Sequence, residues 1–131
     1  MLGAICGDVI GAPYERRRYA IKHKDFPLFC EYSRFTDDTI LTLAVGNAIL
    51  RNVGYLESVV AFATEFPRKG YGGRFRQWLR SGTYEPYASF GNGSAMRVSP
   101  VGWAFDDETR VLAEAARSAE ITHNHPEGIK G

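Results

Sequence analysis

Residues 39–50 carry no charge, and two acids, Asp37 and Asp38, stand at the opening of this run. A stretch this apolar on nearly every face predicts a helix over residues 37–52 that sits inside the fold as its central element. It falls short of the roughly 18 to 20 residues that a spanning helix needs, so no transmembrane segment is expected. The rest of the 131-residue chain must supply the cover, and 44% hydrophobic residues are ample for one packed domain.

The flanking segments read mostly as helices. Residues 2–10 are small and apolar, with Gly3 and Gly7 placed to let a first helix lie close against a neighbour, and Gly11 and Pro13 stop it. Cys6 and Cys30 form no Cys-x-x-Cys pair, so both read as reduced thiols, with Cys6 in the core. Residues 16–35 keep no period and read as a long loop, in which Arg16, Arg17, Arg18, Lys22 and Lys24 form a solvated basic cluster. Covering helices are expected over 56–66 and 75–79, and a helix start over 94–98 that Pro100 disturbs. Asp106 or Asp107 caps an amphipathic helix with Val111, Leu112, Ala115 and Ala119 on its apolar side. Pro126 stands where a further helix would begin, with few residues after it. No period-two run suggests a strand, so the expected class is all-α.

Net charge of +1 supplies no field for nucleic acid or an anionic membrane. The amino terminus lacks a basic region ahead of its apolar run, and Asp8 interrupts that run, so the expected address is the cytoplasm. Nothing in the cysteine and histidine spacing suggests structural zinc.

Four polar segments lie in apolar or glycine-rich surroundings. Thr36-Asp37-Asp38-Thr39 packs oxygen ligands suited to Mg²⁺ or Mn²⁺, yet the same residues cap a helix start. Ser89-Phe90-Gly91-Asn92-Gly93-Ser94-Ala95-Met96-Arg97 permits close backbone approach ahead of a helix start, which suits a diphosphate, and equally reads as a turn with Ser94 as the cap. Glu15 is either a functional carboxylate or a surface ion-pair partner of the following arginines. Arg97 either grips a phosphate or anchors a buried carboxylate such as Asp8. His123 and His125 sit on a loop without further metal ligands in sequence, and His125 reads as an ordinary surface histidine.

Together with Gly3-Ala4-Ile5-Cys6-Gly7-Asp8-Val9-Ile10-Gly11-Ala12-Pro13-Tyr14-Glu15 and Ile121-Thr122-His123, these ordered motifs resemble the ADP-ribosylglycohydrolase family nearly end to end. The resemblance implies a helical bundle and a cleft with two Mg²⁺ or Mn²⁺ ions. It implies hydrolysis of the glycosidic bond between ADP-ribose and an acceptor, the ions orienting the ribose hydroxyls and activating water. By resemblance Thr36, Asp37 and Asp38 supply metal oxygens, and Asp38 or Glu15 is the general base, Glu15 lying on a flap. Ser89, Phe90, Gly91, Asn92, Gly93 and Met96 line the ADP-ribose path, and His123 touches the substrate.

The family's second metal motif, Asp-x-Asp-Thr, does not occur in this sequence, where Asp106-Asp107-Glu108 reads as a helix cap. The chain is thus expected to be an amino-terminal part of that fold, completed by a carboxyl-terminal segment. The other expectations are a non-catalytic ADP-ribose-binding module and an inactive remnant.

Overall fold

The computed structural model describes residues 1–15 and 20–130, and among these every regular element is helical. In chain order they are α1 (Leu2–Gly11), a 3₁₀ turn (Ala12–Tyr14), α2 (Asp37–Arg51), α3 (Tyr55–Glu65), α4 (Gly73–Ser81), α5 (Gly93–Arg97), α6 (Ser99–Ala104), α7 (Glu108–Glu120) and α8 (Pro126–Lys130). The all-α class read from the sequence is the class found. No helix among the described residues is long and apolar enough to cross a membrane.

The uncharged run becomes α2, which touches α1, α3, α5 and α6. Thr36 caps its start, and Asn52 ends it in the left-handed region (φ 54°), its N–H bonding to the carbonyls of Ala48 and Ile49. One face of α2 (Ile40, Leu41, Ala44) packs with Val59, Ala63, Tyr71, Phe75 and Trp78. The other (Val45, Ala48) packs with Tyr55 and Val101, and Ile121 borders both clusters. Each fully buried valine, leucine or isoleucine here contributes roughly 1.5–3 kcal/mol. Between α2 and α3, the Ser58 hydroxyl donates to the Ala44 carbonyl at 2.7 Å, and the Asn47 amide donates back to that hydroxyl at 3.0 Å.

Proline does more than disturb the helix start expected over 94–98. Pro100 ends α5 and occupies the first turn of α6, where its missing N–H costs nothing, so the segment becomes two short helices meeting at Val98. Helix α4 extends beyond the expected 75–79, and Pro126 does open α8. Residues 20–36 hold no helix or strand, as expected of a loop. Lys22 and Lys24 are exposed, while Arg16, Arg17 and Arg18 lie outside the described residues.

Three expectations about packing are corrected. Cys6 is exposed, and the only buried residue of α1 is Asp8. Two residues apart on a helix point to nearly opposite sides, and α1 turns its Asp8 side toward α2, which turns Cys6 outward. A Cβ at Gly3 or Gly7 would meet nothing within 4 Å, so neither glycine serves a close approach. Leu112 on α7 is 63% exposed. The inward stripe runs through Ser118 and Ala119 with Val111 and Ala115 partly covered; Leu112 points within about 20° of Ala119 but stands two turns nearer the start of α7, where that side of the helix is uncovered. The cap of α7 is Asp107, whose carboxylate accepts from Arg110 N–H at 2.8 Å.

Candidate active site

The amino terminus of α2 gathers the acids. Helix starts leave backbone N–H groups without intrahelical partners and carry partial positive charge. Here a carboxylate from another helix supplies the acceptor. Asp8 on α1 takes the Thr36 N–H (2.8 Å) and hydroxyl (2.6 Å), and the Thr39 N–H (3.1 Å) and hydroxyl (2.5 Å). The Thr36 oxygen also accepts from the Asp38 N–H at 3.3 Å, so the capping role and the gathering of oxygens occur together.

Carboxylate oxygens of Asp8, Glu15 and Asp38 lie within 4.8 Å of one another. Glu15 reaches this group because the 3₁₀ turn Ala12–Tyr14 follows α1 directly, and Tyr14 fastens the turn to the next loop, its hydroxyl donating to the Pro27 carbonyl at 2.9 Å. Burial raises the pKa of Glu15 and then Asp38 and Asp8 raise it further, with Arg34 opposing. Burial likewise raises that of Asp38, reinforced by Asp8 and opposed by the Thr36 hydrogen bond. Among the described residues the one ion pair is Arg117–Glu114, far along the chain on α7, so no described lysine or arginine is in ion-pair contact with the three acids, and Arg34 offsets only part of the shift at Glu15.

Asp37 stands beside the trio, not in it. Its N–H donates to the Lys69 carbonyl at 2.7 Å, and its Oδ1 lies 2.8 Å from where a Cβ of Gly70 would be. Gly70 has φ 103°, a conformation that favours glycine, so the turn that receives Asp37 depends on that residue. Burial, with smaller contributions from Asp38, Glu15 and Asp8, raises the Asp37 pKa to about 6.

The second constellation is the loop before α5. Ser89 N–H donates to the Thr122 carbonyl at 3.1 Å, and Ser89 Oγ accepts from Gly91 N–H at 3.2 Å. Phe90 is 79% exposed, Gly91 and Asn92 are exposed, and Met96 is half-buried. The Thr42 hydroxyl of α2 donates to the Met96 carbonyl at 3.2 Å, so one helix carries the acids at its start and holds the loop's helix a turn later. Ser94 lies within α5 and does not cap it, its hydroxyl pointing to the Gly128 carbonyl at 3.3 Å.

His123 is 2% exposed, and both of its ring nitrogens bond inside the protein, to Thr122 Oγ1 (2.7 Å) and the Gly91 carbonyl (3.0 Å). His125 is exposed and accepts the Glu127 N–H at 3.2 Å, at the start of α8. Arg97 neither reaches Asp8 nor faces solvent. It is 1% exposed and donates to the Ser118 carbonyl (2.7 Å) and to Thr122 Oγ1 (2.9 Å). Asp8, open in the sequence between a buried anchor for Arg97 and other roles, joins the acids instead, and its signal was a lone acid inside an apolar helix.

Fold and site together define an all-helical protein that collects carboxylate and hydroxyl oxygens at the start of its central helix, beside a glycine-rich loop. The model of the ADP-ribosylglycohydrolase family matches residues 1–131, and the chain belongs to that family. It is similar to "ADP-ribosylhydrolase ARH3" of Mus musculus (29% identical over 164 residues, all of this chain and 44% of the relative). The proteins of the same name from Xenopus tropicalis and Bos taurus are 28% and 30% identical, each covered over 45% of its length. The chain therefore spans less than half the length of these relatives.

Proposed function

We propose that this chain contributes the substrate-side half of a Mg²⁺- or Mn²⁺-dependent hydrolase that cleaves the glycosidic bond between ADP-ribose and an acceptor. The observation that carries the reading is the trio Asp8, Glu15 and Asp38, three carboxylates within 4.8 Å that make no ion pair among the described residues. The donor set fits a hard divalent ion, because all its ligands are oxygens and an ion would relieve the repulsion and desolvation that raise the pKa values of Glu15 and Asp38.

Asp38 and Glu15, with Asp37 and Thr36 beside them, would hold the ions, while Asp8 braces Thr36 and Thr39 from behind. Bound there, such ions supply Lewis acidity and a template for the ribose hydroxyls. Asp38 or Glu15 would accept the proton of the attacking water as the new C–O bond forms at the anomeric carbon and the bond to the acceptor breaks. The acceptor leaves with that electron pair and takes a proton from solvent, to which the carboxylate later returns its own. Carboxylates on that side also stabilise the positive charge that develops on the ribose. The exposed Phe90, Gly91 and Asn92, with the half-buried Gly93 and Met96 and the buried Ser89 behind them, would receive the ADP-ribose, as the similarity to ADP-ribosylhydrolases supports.

A carboxyl-terminal complement, such as the additional length of the relatives represents, would complete the ion site. It would also cover the apolar groove lined by Met1, Gly46, Ile49, Leu50, Pro100 and Trp103. A second reading, a binding module without hydrolysis, is favoured by the chain's spanning less than half of those relatives.

Calorimetric titration of ADP-ribose with Mg²⁺ and with chelator, repeated on Asp38→Ala, tests the proposal. Binding that Mg²⁺ strengthens and the substitution abolishes is expected, followed by hydrolysis of ADP-ribosylated acceptors once the complement is added. Binding indifferent to metal and to the substitution would leave the module reading in its place.

A further inference from the structure

Arg97, Thr122 and His123 are 1%, 0% and 2% exposed and form one buried chain of hydrogen bonds that ends on the Gly91 carbonyl. The direction of each proton follows from the chemistry of its first member. A guanidinium has donors only, so Arg97 Nη2 gives a proton to Thr122 Oγ1 at 2.9 Å. The threonine hydroxyl has one proton to give, and the acceptor in reach is His123 Nδ1 at 2.7 Å. Nδ1 is therefore bare, the single proton of the neutral ring lies on Nε2, and it is donated to the Gly91 carbonyl at 3.0 Å.

The opposite tautomer would set the Nε2 lone pair against the carbonyl oxygen and leave the threonine proton without an acceptor. A cationic ring is disfavoured first by burial and then by the nearby guanidinium, although the Gly91 carbonyl opposes both. The ring is held tightly as well: a Cβ at Gly93 would lie 3.4 Å from His123 Cε1, and one at Gly128 would lie 3.5 Å from His123 Cβ.

We infer that Arg97 is a positioning residue for the glycine loop: acting through Thr122, it fixes His123 as the Nε2–H tautomer, which turns the Gly91 carbonyl into the protein and away from an anionic ligand on the loop's exposed side. This rests on the reading that residues 89–96 receive a diphosphate-bearing ligand. A carbonyl oxygen facing outward there would repel a phosphate, whereas one bonded inward leaves the glycine backbone approachable.

The test is nitrogen-15 NMR of the imidazole nitrogens in the full chain, with His123 assigned by the signals lost in His123→Gln, together with Thr122→Val, Thr122→Ser and titration of ADP-ribose. The wild type shows Nε2–H. Thr122→Val, which keeps the shape and removes the hydroxyl, shows a measurable Nδ1–H population, displaced amide signals at Gly91, Asn92 and Gly93, and about tenfold weaker ADP-ribose binding, the loss of roughly one hydrogen bond. Thr122→Ser restores all three. Wild-type His123 found as Nδ1–H or as imidazolium at neutral pH overturns the inference, and so does Thr122→Val with tautomer and loop amides unchanged. A wild type that shows Nε2–H, loses it in Thr122→Val and binds no ADP-ribose upholds the relay and refutes the ligand reading.

Discussion

Thr39 gives both its N–H and its hydroxyl to a single carboxylate oxygen of Asp8, at 3.1 and 2.5 Å, so that α1 supplies the acceptor that the start of α2 lacks. The bond joins two helices through charge in a place where α1 buries no apolar side chain.

Replacing Asp8 therefore costs more than its own contacts. Asp8→Ala strands two N–H groups and two hydroxyls, and about 3 kcal/mol of stability should be lost in urea denaturation, since each unsatisfied buried group costs roughly 1–3 kcal/mol and the losses overlap. Asp8→Asn keeps one acceptor oxygen and should lose about half as much. A stability equal to wild type in both would contradict the bracing role.

Gly70→Ala places a methyl 2.8 Å from Asp37 Oδ1 on a backbone with φ 103°. The expected results are about 1–3 kcal/mol of destabilisation and at least tenfold weaker Mg²⁺ binding by calorimetry. Gly72→Ala is the control, because a Cβ there meets nothing within 4 Å and its φ is −55°.

Asp37 sets a pH dependence of defined sign. Its pKa rises from 3.8 to about 6 on folding, so between those values the folded state binds more protons than the unfolded one. Without divalent ions, the contribution is fully present below about pH 4 and is lost as the pH rises through about 6. Asp37→Asn removes the penalty and should gain about 1 kcal/mol at pH 7 in chelator, a figure held down by solvent screening of a half-buried group. Denaturation curves from pH 4 to 8 should converge at the acid end, and a wild type that gained stability over pH 4 to 6 relative to the variant would reverse the sign.

The apolar groove predicts association. Leu50 and Trp103 are 80% and 81% exposed beside Met1 and Pro100. Light scattering of the isolated chain should report species larger than the monomer, and the double substitution Leu50→Glu, Trp103→Glu should shift the population to monomer without loss of helical circular dichroism. A wild-type chain that is monomeric at high concentration would remove the need for a covering partner.

The helices themselves were largely legible in the sequence. The uncharged run at 39–50 had to be largely buried, as it is up to the exposed Leu50; Thr36 and Asp107 marked two starts, and Pro126 marked a third, because caps and period act through residues adjacent in the chain. The family resemblance was legible for the same reason, its motifs being short and contiguous. The loop breaking at Pro100 was visible as a disturbance, but its outcome as two helices depended on Val101 finding the pocket of α2 and α3.

What only the tertiary structure decided was the company each polar side chain keeps. Asp8, Glu15 and Asp38 come together over a span of 31 positions, Cys6 faces outward because Asp8 faces inward, and Arg97 is committed to Thr122 and not to Asp8. Periodicity identifies which side of a helix is buried only when apolar residues choose it. Where a single carboxylate chooses it, as Asp8 does for α1, the choice belongs to the hydrogen-bond donors waiting on another helix.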